Sequence, residues 1–351
     1  MVYLMHTGSV KDFYVTKEPS DTALGEGYLD FKLRPDNTGP VSIFDLKERF
    51  PFGITGKAEA MHDETVAFFE LMRKNDVPTH YIEDLGSCRV AVYVAHIPQK
   101  DGWEQWVKTR GKKPFLVPIE VVITNTLTPV ASAHKRLRKG AEKPEKYGLS
   151  GVPGMYETIH LPEPVITTST KLGEHDVYRD DLFDVVGLTH EKRKELENLA
   201  RQANEISTNY ASQVGLDLAD GKFEFFMDTD GKIYICDTFL TSDENRILAK
   251  ARDGSWVDIS KQFLRNIYTI TGYREQLEAQ QDAGVPFEQW VLPGPLDENT
   301  YDTVVNTYTV VQQELCKKPM GLDLTEVATR CRDTLDAYKE VFKRDETGAE
   351  I

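Results

Sequence analysis

No run in the sequence approaches the roughly 20 consecutive apolar residues that cross a bilayer as a helix. The N-terminus also lacks a basic region followed by an apolar one. These absences argue against a membrane protein and lead to the expectation of a cytoplasmic one. Cysteine is scarce: Cys88, Cys236, Cys316 and Cys331 are widely spaced, with no CxxC pair and no zinc-type arrangement. Reduced thiols that serve packing are expected, not a disulfide framework. Basic residues are in deficit, 42 Lys and Arg against 57 Asp and Glu, and the net charge of -15 argues against a general nucleic-acid binder. A small anionic substrate in a locally basic cleft remains compatible with that balance. The 40% hydrophobic and 28% charged residues are those of a globular protein, and 351 residues suffice for one large domain or two moderate ones.

The most informative residues are acids placed where strands should be apolar. Leu218 to Met227 (LADGKFEFFM) and Lys232 to Asp237 (KIYICD) are rich in aromatic and β-branched residues, and they flank the turn Asp228-Thr229-Asp230-Gly231. The pattern predicts a β-hairpin. Alternation puts Glu224 and Phe226 on one side of the first strand, and Ile233, Ile235 and Asp237 on one side of the second. Pairing of Glu224 with Ile235 or with Asp237 would bring two carboxylates to one face, where they repel and where burial aggravates the repulsion. A divalent cation resolves the conflict, and hard oxygen ligands suit magnesium bridging to nucleotide phosphates. Lys222 adds a positive charge to the same face. Edge-strand charges facing water would give the same pattern.

Elsewhere the first ninety residues alternate short strand-like runs with Gly and Pro breaks, then give a helix over Met61 to Arg73 that closes before Pro78. Strand-like runs at Cys88 to His96 and Phe115 to Ile123 flank a polar, Trp-bearing insert at 97–114. Residues 138–163 read as a long surface excursion. Thr189 is placed to cap a helix whose Leu196, Leu199, Ala203, Ile206 and Tyr210 recur at helical spacing as core. After Ser255 the pattern is mainly helical. Strands early, a mixed middle and late helices indicate an α+β protein with a cleft between two lobes.

Several segments carry the basic residues that a phosphate cleft needs. Gly8-Ser9-Val10-Lys11 joins a flexible turn to a strand, so backbone N–H groups and Lys11 can cover phosphates. Ser169 to Asp176 gathers hydroxyls, Lys171, His175 and Asp176 into a loop. Arg246 follows Asp237, and Lys261 and Arg265 share one face of a later helix. Each of these taken alone reads first as surface charge or a solvated loop.

In that order the segments resemble the SAICAR synthetases of purine biosynthesis over nearly the whole chain. Gly8 to Tyr14 (GSVKDFY) is similar to the family's GKVRDIY loop, and Val41 to Asp45 (VSIFD) to its ISAYD segment. Pro78 to Glu83 (PTHYIE) and Val117 to Val122 (VPIEVV) resemble its PTHFIE and VPVEVV runs. The STK and GEHD pieces, Asp220-x-Lys222-x-Glu224-Phe225, then Asp237, Asp243 and Arg246, and finally Lys261 to Arg265, complete the set. The resemblance implies the SAICAR synthetase-like α+β fold, with ATP between a β-rich N-terminal lobe (1–115) and a larger mixed lobe (116–351) with a helical C-terminal region. It also implies an activity: ATP activates a substrate carboxylate, commonly as an acyl phosphate, and the amino group of aspartate attacks to form an amide. Glu224 and Asp237 would hold Mg2+, Gly8, Lys11 and Lys171 would meet the ATP phosphates, and the backbone near Leu116 would meet adenine. Lys222, Ser132, His175, Asp176, Arg246, Lys261 and Arg265 would serve the acceptor, while Asp220 would orient the attacking amine or take its proton. The partners implied are small molecules, with a homo-oligomer left open.

The departures fall mainly on the acceptor side. Thr124-Asn125 stands where the family has Arg-Asn, and Ala131-Ser132 where it has Gly-Ser. Asp237-Thr238 replaces Asp-Glu, and Ser242-Asp243-Glu244-Asn245-Arg246 replaces Pro-Asp-Ser-Ser-Arg. Loss of a charge-assisted hydrogen bond to an anion costs on the order of 1.5 to 3 kcal/mol. Three readings follow: SAICAR synthesis itself, with Lys135 or Arg136 compensating for Thr124; the same chemistry on an altered, unphosphorylated nucleoside carboxylate in a specialised pathway; or a non-catalytic nucleotide-binding protein.

Overall fold

Two antiparallel sheets frame the computed structural model, which describes residues 2–36, 38–39, 43–44, 52–172 and 181–349. The first sheet has the order β1-β2-β3-β7-β6, from β1 (Tyr3–Thr7), β2 (Lys11–Lys17), β3 (Gly25–Phe31), β6 (Tyr81–Gly86) and β7 (Arg89–Val94). In β3 the alternation is visible in burial, with Gly25, Gly27, Leu29 and Phe31 facing the core. Between β3 and β6 lie the two-residue strands β4 (Thr38–Gly39) and β5 (Ile54–Thr55), then α1 (Lys57–Lys74). Helix α1 has Glu59 in its first turn and Arg73 and Lys74 in its last, the charge order its dipole favours. It buries Phe68, Phe69 and Met72 completely.

The second sheet has the order β13-β12-β10-β8-β9. It contains β8 (Phe115–Leu127), β9 (Ile159–Thr170), β10 (Leu216–Met227), β12 (Arg246–Lys250) and β13 (Trp256–Asp258), with β11 (Ile233–Cys236) also paired to β10. Strand β10 therefore has a divided edge. Its first half, Leu216 to Asp220, pairs with β12, and its second half, Glu224 to Met227, pairs with β11. The loop from Asp237 to Asn245 crosses the interval, where the Asn245 side chain donates to the Asp220 carbonyl at 3.0 Å. Gly221 is required there, because a Cβ would stand 1.9 Å from Asn245 Nδ2 and 2.5 Å from the Phe239 ring.

Short helices α2 (Trp103–Thr109), α3 (Ser132–Arg138) and α4 (Leu182–Val186) connect these strands, and α5 (His190–Gln213) lies on β8, β10 and β11. The Thr189 hydroxyl caps α5 by accepting from the Lys192 N–H, as its sequence position predicts. Helices α6 (Lys261–Ile270), α7 (Tyr273–Asp282), α8 (Glu298–Cys316) and α9 (Leu324–Phe342) form the helical C-terminal part. Ser260, Asp297 and Asp323 cap α6, α8 and α9. No described helix is long and apolar enough to cross a membrane. The α+β class expected from the sequence is the class observed.

Two local expectations need correction. The insert at 97–114 is not only polar surface: Trp103 and Val107 of α2 are buried in the main core, and Trp106 packs against it. The excursion at 138–163 carries its own anchor, since Tyr147 is buried with Leu127, Ala133 and Leu137 in a small second core. Amphipathic spacing in seven residues is too short to reveal the first, and a lone tyrosine between charges hides the second.

Candidate functional site

Period-two alternation along β10 puts Asp220, Lys222 and Glu224 on one face, spaced over about 13 Å at strand rise. Neighbouring strands complete the row. Thr124 of β8 stands opposite Asp220 on one side, and Arg246 of β12 stands opposite it on the other. Arg246 Nη1 donates to Asp220 Oδ2 at 2.6 Å. Asn125, next along β8, points the other way and exchanges hydrogen bonds with Asn204 of α5 at 3.0 and 2.8 Å.

At the Glu224 end, the register differs from the sequence expectation. Glu224 faces Cys236, not Ile235 or Asp237. The two carboxylates still converge, because Asp237 follows the end of β11 with a left-handed backbone, φ 60°, so simple alternation no longer applies. Each is met by a lysine. Lys171 Nζ lies 2.5 Å from Glu224 Oε1, and Lys11 Nζ lies 2.6 Å from Asp237 Oδ1 while donating to the Thr238 hydroxyl at 3.0 Å. Burial pushes the Glu224 carboxyl up; Lys171 pulls it back and Asp237 adds repulsion, leaving it at about 7. Burial acts in the same sense on Asp237, but Lys11 and Lys171 outweigh it and hold that carboxyl well below the usual range.

Glu120 was not singled out by sequence reasoning, yet it is central. It is 2% exposed, it accepts from Lys222 Nζ at 3.0 Å and from Ser169 Oγ at 3.4 Å, and it lies 3.7 Å from Lys171 Nζ. Opposite Glu120 the two strands pair irregularly: Phe223 pairs with Val121 but Phe225 with Val117. The bulge contains Pro118, whose missing N–H suits such a place. The available signal was an acid inside the apolar run Val117 to Ile123. Glu244, 3.8 Å from Lys11 Nζ, was also missed. So was His80, whose imidazole burial holds at about 3, well below its usual value.

The loop bearing Asp237 is fixed from α1. Glu64 accepts from the Ser242 N–H at 2.7 Å and from its hydroxyl at 2.8 and 3.0 Å. Lys57 donates to Asp243 Oδ2 at 2.8 Å, and the Tyr308 hydroxyl donates to Asp243 Oδ1 at 2.8 Å. Lys261 joins this buried group, 3.9 Å from Asp243, and Arg265 Nε donates to the Ile43 carbonyl at 2.5 Å. Lys261 thus sits behind the loop that carries the candidate site.

Of the remaining sequence candidates, Gly8 forms the turn before β2, its N–H donating to the Lys11 carbonyl at 2.9 Å. A Cβ at Gly8 would stand 2.7 Å from that carbonyl oxygen. The Leu116 N–H donates to the His96 carbonyl at 2.8 Å, and its side chain packs against the small apolar cluster of Ala95, Phe226 and Cys236. Ser132 is exposed at the start of α3. His175 and Asp176 lie outside the described residues.

At the Glu224 end, lysines are matched to carboxylates that a cation could take over, which would free the lysines for an anion. Among the described residues no three His, Cys, Asp or Glu side chains form a metal cluster. Two hard oxygen donors nevertheless fit magnesium, which keeps several waters and takes its other ligands from phosphate.

Comparison with known proteins gives a single answer. The SAICAR synthetase family model matches residues 4–280. A phosphoribosylaminoimidazole-succinocarboxamide synthase of Thermoplasma acidophilum is 27% identical over 88% of this chain and 96% of its own length. That of Xylella fastidiosa is 29% identical over 89% and 94%. Among solved structures, the SAICAR synthase of Saccharomyces cerevisiae complexed with SAICAR superposes with a TM-score of 0.62 at 20% identity, over 92% of this chain and 97% of that one. A SAICAR synthetase in complex with ADP gives 0.56 at 21% identity, over 91% and 98%. With the model covering most of its length, the chain belongs to the SAICAR synthetase family, and it is by that membership an ATP-dependent carboxylate–amine ligase.

Proposed function

We propose that this enzyme joins aspartate to the carboxylate of an imidazole ribonucleotide, forming a succinocarboxamide at the expense of ATP. The observation that carries the reading is the pair of half-buried lysine–carboxylate contacts, Lys11 with Asp237 and Lys171 with Glu224. Nucleotide binding would exchange these partners: both lysines turn to the phosphates, while Glu224 and Asp237 take Mg2+, which neutralises phosphate charge and aligns the γ-phosphoryl group. Gly8 lets the backbone before β2 come close to those phosphates. The adenine lies against the apolar surface of Leu116, Ala95, Phe226 and Cys236, between lobes divided at 115/116.

Lys222 stands midway along the row, between the phosphoryl donor and the acceptor, and its ammonium suits the acceptor carboxylate. Transfer of the γ-phosphoryl group to a carboxylate oxygen releases ADP. The aspartate amine then attacks the carbonyl carbon, loses a proton and expels phosphate. Asp220 is engaged by Arg246, which favours an orienting role over that of a base. Ser132, Lys261, Arg265 and the segment with His175 and Asp176 complete the acceptor side in this reading.

The test is ADP release from ATP and magnesium with aspartate and carboxyaminoimidazole ribonucleotide, run beside the dephosphorylated acceptor. Turnover that needs both aspartate and the ribonucleotide supports the reading. Turnover with the dephosphorylated acceptor alone would point instead to the specialised nucleoside reaction that Thr124 raises. ATP binding without turnover on either would leave a nucleotide-binding protein.

A further inference from the structure

Between Asp237 and Arg246 the loop fixes itself with its own side chains. Ser242, Asp243 and Asn245 turn inward, to Glu64, to Lys57 and to the Asp220 carbonyl. The Glu244 N–H donates to the Thr241 hydroxyl at 3.2 Å, and the Asn245 side chain accepts from the Thr241 N–H at 3.1 Å. The backbone of Glu244 is therefore held from both sides, while its side chain stays 23% exposed beside Lys11, 3.8 Å from the ammonium. The other carboxylates of the site are engaged. Asp220 is paired with Arg246, Glu120 with Lys222, Glu224 with Lys171 and Asp237 with Lys11, all at 3.0 Å or less. Among the described residues the Glu244 carboxylate accepts no hydrogen bond, and Lys11 is the one cation within 4 Å of it. It stands in the interval of the divided edge, beside Lys11 at one end and two residues before Arg246 at the other. An acid here is particular to this chain. The family has serine at this place, and where the family has glutamate this chain has Thr238, whose hydroxyl accepts from Lys11 at 3.0 Å.

We propose that Glu244 receives the amino group of the attacking amino acid and takes its proton. The proposal rests on the functional reading above and assigns the base that Asp220, held by Arg246, does not supply. A carboxylate without a hydrogen bond pairs with an ammonium without giving up a partner, and its fixed backbone keeps the nitrogen in place for attack. The ammonium sheds one proton to water to become the amine. As the amine nitrogen bonds to the carbonyl carbon of the acyl phosphate, its surplus proton passes to a Glu244 oxygen. The carbon–oxygen bond to phosphate then breaks, its electron pair leaving on phosphate, and Glu244 returns the proton to water.

The test compares aspartate with hydroxylamine as the nucleophile, in the wild type, Glu244→Gln and Glu244→Asp, with ATP, magnesium and carboxyaminoimidazole ribonucleotide. Hydroxylamine is a free base at neutral pH and traps an acyl phosphate as a hydroxamate without the help of a protein base. Glu244→Gln is expected to lower kcat/KM for aspartate about 10²- to 10⁴-fold, with hydroxamate formation and KM for ATP kept at wild-type values. Glu244→Asp is expected to recover part of the aspartate rate. Hydroxamate formation by the variant also reports that it is folded. Unchanged aspartate kinetics in Glu244→Gln overturns the role, and so does a hydroxamate rate that falls as far as the aspartate rate, which would put Glu244 in phosphoryl transfer instead. A wild type that forms no hydroxamate overturns the functional reading itself, and this role with it.

Discussion

Lys11, at the start of β2, lies 2.6 Å from Asp237, just past the end of β11. The contact joins the first sheet to the second at the point where the proposed function would put the phosphates. Replacing Lys11 with methionine removes a donor to the nucleotide and leaves Asp237 with less counter-charge. KM for ATP should rise about ten- to hundredfold, with KM for the acceptor little changed. Initial-rate kinetics with each substrate varied in turn would check the split; an acceptor KM that moved equally would sink the assignment.

Stability should fall as pH rises above neutrality. Burial pushes the Glu64 carboxyl up to about 8 from 4.5, so the folded protein keeps a proton that the unfolded chain releases, and stability is lost across that interval. His62 acts in the same direction. Burial lowers its imidazolium, but hydrogen bonds with Asp63 and Asp84 outweigh this and raise it. Its contribution is fully present below about 6.5 and is lost as pH climbs through the folded value. Thermal melts from about pH 7 to pH 9, above the range in which protonation of His80 in the unfolded chain opposes the trend, should show Tm falling, and Glu64→Gln should remove much of the slope. A wild-type profile that is flat, or that rises, would contradict both placements.

Lys57 is buried against Asp243, with side-chain exposures of 1% and 2%. Lys57 and Lys261 overcome the burial that would raise Asp243, and hold its carboxyl at about 2. Lys57→Met should therefore destabilise by about 3 to 5 kcal/mol, the cost of a buried charge that has lost its partner. Urea denaturation measures it. A loss below about 1 kcal/mol would show that Lys261 and Tyr308 suffice for Asp243.

Gly221→Ala is the smallest change with a large expected effect, because the new methyl collides with Asn245 and with the Phe239 ring. Overpacking of this kind costs about 1 to 3 kcal/mol, and displacement of Asn245 loosens the loop that carries Asp237 and Glu244. Both the melting temperature and KM for ATP should suffer. A variant with wild-type values for both would show that the loop absorbs the methyl.

Much of this was legible because local patterns suffice for local structure. Thr189 and the apolar stripe behind it specify α5, and the Asp-Gly turn with its flanking aromatics specifies the β10–β11 hairpin. The acids of that hairpin also pointed to the candidate site. The register was not legible, because Asp237 leaves the strand with a positive φ that no alternation rule contains. Glu120 escaped notice because its partners come from β9 and β10, and only the order β10-β8-β9 makes them neighbours. Lys57 with Asp243, and Glu64 with Ser242, join a helix to a loop far along the chain, a relation that follows from packing and leaves no trace in residue spacing.

The divided edge of β10 has a consequence for how such an enzyme changes over generations. In the proposed function one strand would carry both ends of the reaction, yet β12 supports one end and β11 the other. Replacements around Thr124 and Arg246 can therefore accumulate while the framework around Glu224 and Asp237 stays intact. Descent with a new acceptor and the same phosphoryl donor is the path that this topology leaves open.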